Sequence, residues 1–305
     1  MAADGGTRAI LAALFANAGI ALAKFVGFLI TGSSSMIAES VHSVADTSNQ
    51  GLLLLGQRTA KRRATRLHPF GYGRERYFYS FVVALVLFTL GSAFALYEGV
   101  HKVSHAEDLD SPLVAVVILL VAIALETYSF RTAIVESRAI KGDRSWWAFI
   151  RQSRTPELPV VLLEDAGALF GLVFALFGVG LAVVTGNPVW DGVGTIMIGI
   201  LLGIIALILI VEMKSLLVGE GAADGELETI VERLADGDEV ERVIHIRTQY
   251  LGPDELLVAA KLALRPGLEL AAVAAAIDGA EQRVRAEVPA ARLIYLEPDL
   301  YCVPV

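Results

Sequence analysis

Hydrophobic residues fall in six long blocks before residue 219 and on short periods after it. The blocks cover residues 10–30, 36–55, 78–100, 113–130, 160–184 and 192–211. A bilayer's hydrocarbon core is about 30 Å thick and takes roughly 20 residues of helix to cross, so each block is long enough to span it. None has the alternating pattern, roughly ten residues long, of a barrel strand. Since only structures that close their own backbone hydrogen bonds persist in hydrocarbon, the pattern predicts six transmembrane helices. From about residue 219 the composition becomes that of a small soluble domain. Residues 226–234 and 270–288 read as helices, and 243–251, 256–264 and 292–297 as strands, with Gly252-Pro253-Asp254 marking a turn. The order αββαβ predicts an antiparallel sheet covered by two helices, a ferredoxin-like or metallochaperone-like domain. The predicted fold is thus an α-helical membrane protein with a membrane domain over residues 1–218 and an αββαβ domain over 219–305.

Charge adds orientation. Arg58, Lys61, Arg62, Arg63, Arg66, Arg74 and Arg76 follow the second block, and Arg131, Arg138, Lys141, Arg144, Arg151 and Arg154 follow the fourth. The opposite connections carry only Lys102. This bias puts both termini and the tail domain in the cytoplasm. The start of the chain has neither a basic leader region nor a cleavage motif, so the first block is expected to be retained as a span. The tail is acidic, with 8 Lys/Arg against 17 Asp/Glu over residues 219–305, within a whole-chain net charge of −8. An acidic tail without a basic face excludes nucleic acid as a partner. A single cysteine, Cys302, excludes an intrachain disulfide and a cysteine-rich zinc cluster. The fraction of charged residues, 19%, and the mean hydropathy of +0.61 fit a membrane protein.

The chemistry sits inside the blocks. Glu39, His42, Asp46 and Asn49 are spaced 3, 4 and 3 residues apart, which draws a polar stripe along one face of the second helix. The fifth block carries Glu164 and Asp165, adjacent and so about 100° apart around a helix. Each ionisable group at the bilayer centre costs about 2.5–3.5 kcal/mol on insertion scales, so such groups face the protein interior and mark ion or proton pathways. His and Asp four residues apart bring an imidazole nitrogen and a carboxylate oxygen to one divalent ion. A purely structural carboxylate–imidazole network is the competing reading, and five ionisable groups at matching depth make an expensive helix-packing device.

The run from Ser33 to His42, followed by Asp46, resembles the second-helix signature of the cation diffusion facilitators, a family of zinc transporters. His68-Pro69-Phe70-Gly71-Tyr72-Gly73-Arg74 is similar to the His-Pro motif at the start of that family's third helix. The run from Ala38 to Gln50, with Leu162-Leu163-Glu164-Asp165, is similar to the zinc transporter 9 subgroup. The resemblance covers nearly the whole chain. It implies a non-enzymatic, homodimeric transporter in the plasma membrane of a prokaryote. It also implies exchange of a divalent cation, Zn²⁺ first, for protons, with no prosthetic group and lipid as the surrounding partner. The implied ligands are His42 and Asp46 from helix 2 and Asp165 from helix 5. The family's fourth ligand falls at Val161, which has no donor, so Glu164, Glu39, Asn49 or a water completes the shell; the subgroup resemblance favours Glu164. Imidazole suits Zn²⁺, Fe²⁺ and Co²⁺, whereas carboxylates lean toward Mn²⁺ and Mg²⁺.

Other positions depart from the family. Tyr72 replaces a second histidine and Thr65 or Arg66 stands near the expected acid, so the family's peripheral cytoplasmic site is expected to be absent and His68 to be structural. The tail offers only His245 and the end Glu297-Pro298-Asp299, which argues against zinc sensing there, and His245 is expected to be partly buried for packing. Lys24 is read as a snorkelling, structural lysine, Glu98 as interfacial and Trp146 with Trp147 as an interfacial anchor. Glu126 fits helix pairing and proton relay equally well. The glycine pairs 167/171 and 199/203 are expected to admit close helix packing. Two further functions stand beside transport: a non-transporting metal sensor or scaffold, and an intramembrane metallohydrolase, which lacks any supporting His-Glu-x-x-His motif.

Overall fold

A computed structural model describes residues 2–31, 34–105 and 112–300, with side chains described throughout these except at 2–5, 31, 34–39, 41, 42, 45 and 112. Two compact units emerge: Met1–Thr59 with Glu75–Lys214, and Ala60–Arg74 with Ser215–Val305.

The first unit is helical. It contains α1 (Ala2–Thr31), α2 (Ser34–Ala60), α3 (Glu75–Val86), a π-helical turn (Leu87–Ala93), α4 (Phe94–Ser104), α5 (Pro112–Lys141), the short α6 (Trp146–Gln152), α7 (Glu157–Thr185) and α8 (Val189–Val218). Among the described residues, five helices are long and apolar enough to cross a membrane: Gly6–Ile30, Glu75–Ser104, Leu113–Lys141, Glu157–Thr185 and Val189–Val218. The chain is therefore a multi-pass membrane protein. α2 has 27 residues and carries the polar stripe, and its side chains are described without a break only from residue 46 on. The π turn joins α3 to α4 in one continuous rod. Local signals set the ends: the Ser145 side chain accepts the Ala148 N–H at 3.1 Å and opens α6, and Gly186, at φ +65°, closes α7 in the left-handed region that glycine enters without strain.

Packing in this unit relies on missing side chains. A Cβ on Gly199 would lie 2.8 Å from the Leu96 backbone nitrogen, and one on Gly99 2.7 Å from that of Ile196, so α4 and α8 touch backbone to backbone. Gly167 leaves room for Ile205 and Leu202, and Gly203 for the Ser92 hydroxyl, which donates to the Gly199 carbonyl at 2.8 Å. The two expected glycine pairs thus lie in helix contacts. Ion pairs pin the ends of the rod. Arg76 reaches Glu157 of α7 through both guanidinium arms, Nε–Oε1 at 2.5 Å and Nη2–Oε2 at 2.8 Å, with both side chains buried. Lys102 reaches Asp191 of α8 at 2.9 Å.

The second unit holds α9 (Asp224–Ala235), β1 (Val240–Gly252), β2 (Glu255–Leu264), α10 (Leu270–Glu287) and β3 (Leu293–Asp299), in the expected αββαβ order. Ile230 and Leu234 of α9 and Ala280 and Val284 of α10 close over Tyr250, Leu256, Val258, Leu262 and Ile294 of the sheet. The sheet corrects one expectation. β1 and β2 are antiparallel, but β2 and β3 are parallel, because the 18-residue helix between them makes a crossover and returns the chain in the same direction. A second correction concerns His245: it is exposed on β1 opposite Lys261, so it does no packing work. Lys261 bridges Glu297 at 3.2 Å and Asp299 at 2.8 Å and holds the Asp299 carboxyl below the usual carboxylate range. In the 60–74 loop His68 is exposed. Its carbonyl accepts the Thr65 and Gly71 N–H groups, and its ring lies 4.7 Å from that of Tyr72.

Removing one partner of a buried ion pair strands the other charge, at about 3–5 kcal/mol. Glu157→Leu should lower the unfolding free energy in detergent by that amount, and Arg76→Met added to it should recover most of the loss.

Candidate metal site

Three helices of the first unit bring carboxylates together. α7 supplies Glu164 and Asp165, both buried; α5 supplies Glu126, also buried; α2 supplies Asp46, half-buried. The adjacent pair on α7 divides as the helical turn requires. Glu164 faces α2, where Oε1 accepts from Asn49 Nδ2 at 3.1 Å and Oε2 from Gln50 Nε2 at 3.0 Å. Asp165 faces α5, where Oδ2 accepts from the Ser129 hydroxyl at 2.6 Å. Asp46 lies within electrostatic reach of Glu164, and Glu126 within reach of Asp165, Glu164, Asp46 and Lys24. The Gln50 carbonyl in turn accepts from Asn17 of α1 at 3.5 Å. A polar path therefore runs from α1 through α2 to α7.

The structure thus brings Asp46, Glu164 and Asp165 into one neighbourhood. Glu39 and His42 lie on α2, with side chains outside the described ones. Val161, at the family's fourth position, is fully buried one turn before Asp165. Among the described residues, no three His, Cys, Asp or Glu side chains already converge as a ready-made ion shell. Glu164 is held back by its two amide donors, yet each of its oxygens keeps a second lone pair for a cation. Asn49 Oδ1 is buried beside it and has no hydrogen-bond partner among the described residues. Four carboxylates crowded in a low dielectric repel one another, and a divalent cation or bound protons relieve that repulsion.

Sequence reasoning left Glu126 undecided between two roles and overlooked Gln50, Ser129 and Asn17. Two of these had a signal: Gln50 stands four residues after Asp46, and Ser129 three after Glu126, so each shares a face with a charged residue. Asn17 had none, because its partner is 33 residues away. Lys24, read as snorkelling, is half-buried and stands within electrostatic reach of the buried Glu126.

Residues 10–218 match the sequence profile of the cation efflux transmembrane domain. Over 250 residues, 81% of this chain and 44% of the relative, the sequence is 31% identical to the human protein named proton-coupled zinc antiporter SLC30A9, mitochondrial. It is 30% identical over 257 residues to metal tolerance protein C4 of Arabidopsis thaliana, covering 84% of this chain and 56% of that protein. It is 24% identical over 282 residues to magnetosome protein MamB of Magnetospirillum gryphiswaldense, covering 92% and 90%. The chain spans about half the length of these two eukaryotic relatives.

Gln50→Leu removes one donor from Glu164 and the acceptor of Asn17. Interhelical polar contacts of this kind are worth about 1–2 kcal/mol. Denaturant unfolding in detergent should show a loss of that order, with Ser129→Ala losing a similar amount through Asp165.

Proposed function

The chain belongs to the cation diffusion facilitator family, whose cation efflux domain it carries over residues 10–218, and on that premise we propose that it exports a divalent metal cation, Zn²⁺ first, in exchange for protons. The observation that carries this reading is the cluster of Asp46, Glu126, Glu164 and Asp165, contributed by α2, α5 and α7 within the membrane-spanning unit. Such a cluster suits a transient cation better than it suits helix packing, since packing alone gains nothing from bringing like charges together.

In this reading His42, Asp46, Asp165 and Glu164 hold the ion, with Glu39 one turn beyond His42. Metal binds only to deprotonated ligands, so its arrival expels protons and protonation expels the metal. Imidazole is the side chain whose charge changes most readily around neutral pH, so His42 suits that trade. The Asn49 and Gln50 amides keep Glu164 aimed at α2 while the ion is absent. α2 is the sixth span, its polar face turned to the interior. Residues 1–218 are the transport domain and 219–305 a cytoplasmic ferredoxin-like domain, with both termini inside a prokaryotic plasma membrane and two copies forming a homodimer. Names given to relatives support zinc and antiport, and the His42 imidazole favours Zn²⁺ over Mn²⁺ and Mg²⁺.

Zn²⁺ flux into proteoliposomes should follow an imposed pH gradient and vanish in Asp46→Ala and Asp165→Ala, with Mn²⁺ and Mg²⁺ as weaker competitors. Flux indifferent to the gradient overturns the antiport. Tight Zn²⁺ binding without flux overturns transport and leaves a membrane sensor or scaffold.

A further inference from the structure

The end of α4 remote from Arg76 carries two histidines that the carboxylate cluster does not use. His101 and His105 are four residues apart, both exposed, with ring centroids 4.9 Å apart and planes 22° from parallel. The His105 N–H donates to the His101 carbonyl at 2.8 Å, which keeps the two rings one turn apart although His105 itself, at φ −130° and ψ 68°, has left the helix. Tyr97, one turn earlier, lies 6.4 Å from the His101 ring and 27° from its plane. Two exposed imidazoles stacked in this way bury little surface, so packing gives the pair no evident purpose.

The surroundings favour a cation. The last carbonyls of a helix carry partial negative charge. Lys102, which would otherwise repel an ion beside His101, has its ammonium 2.9 Å from the Asp191 carboxylate. Glu98, three residues before His101, adds a half-buried acid on the same flank. Neutral imidazoles at helical i, i+4 spacing, turned slightly about their Cβ–Cγ bonds, direct one nitrogen each to a common point.

We propose that His101 and His105 form an accessory metal site at this end of α4, a two-nitrogen chelate for a borderline divalent ion such as Zn²⁺, Ni²⁺ or Co²⁺, with water completing the shell. Its role as a landing site for the exported ion rests on the transport reading above, which places this end of α4 on the Lys/Arg-poor side of the membrane. The chelate itself does not depend on that reading.

The test uses the full chain in detergent with Asp46→Ala and Asp165→Ala, so that the carboxylate cluster is silenced, and titrates Ni²⁺ and Zn²⁺ separately by calorimetry. We expect one binding equivalent that disappears in the further variant His101→Ala/His105→Ala, and that each single substitution weakens. Unchanged stoichiometry and affinity in the double histidine variant overturns the site. Proteoliposome flux with the cluster and both histidines intact is measured alongside: absence of flux there counts against the transport reading, whereas loss of the binding equivalent reports only on the histidines.

Discussion

A carboxylate between helices in hydrocarbon has no water to turn to, so every donor it needs must come from the protein. Glu164 takes two such donors from consecutive residues of α2, and one of those, Gln50, is itself tied to α1. Asp165, its neighbour, takes a donor from the opposite side, on α5. The one-residue offset on α7 therefore joins α1, α2 and α5 through two side chains. The relative placement of these helices and the position of the negative charges are then a single property: moving α2 changes where Glu164 points.

The remaining helices of the unit are held by other means. The rod of α3, the π turn and α4 lies against α8 along glycines, where backbones meet and no long side chain can slip between them. Its ends carry ion pairs to two different helices, Glu157 on α7 and Asp191 on α8. The molecule thus combines a part seamed by small residues with a polar part held by side-chain hydrogen bonds.

Much of this was legible in the sequence. The apolar blocks fall inside the observed helices, for instance 78–100 within Glu75–Ser104, because insertion cost is a strong, one-dimensional signal. Asp46, Glu164 and Asp165 announced themselves by the same cost. Neutral donors did not: Gln50, Ser129 and Asn17 are cheap enough in a helix to pass unnoticed, and their importance lies in partners up to 114 residues away. The tail's element order followed from periodicity and turn residues, but the direction of β3 depended on how α10 crosses the sheet, which no local pattern records. His245 was misjudged because its reading rested on the general habit of histidines to be partly buried, not on its place along β1, where three register shifts against β2 blur the alternation of faces.

The π turn at Leu87–Ala93 has a consequence for how such a chain can change over evolutionary time. A π turn is what remains when a residue is inserted into an α-helix, and it shifts the angular phase of all that follows by about 100°. Arg76 lies before it and Lys102 after it, and each has found its counter-charge on a different neighbour. The two halves of the rod therefore obey separate rotational constraints, and a one-residue deletion between them would be felt as a misaligned half rather than as a shortened helix. Holding both counter-charges in place in this chain therefore depends on the extra residue in the turn.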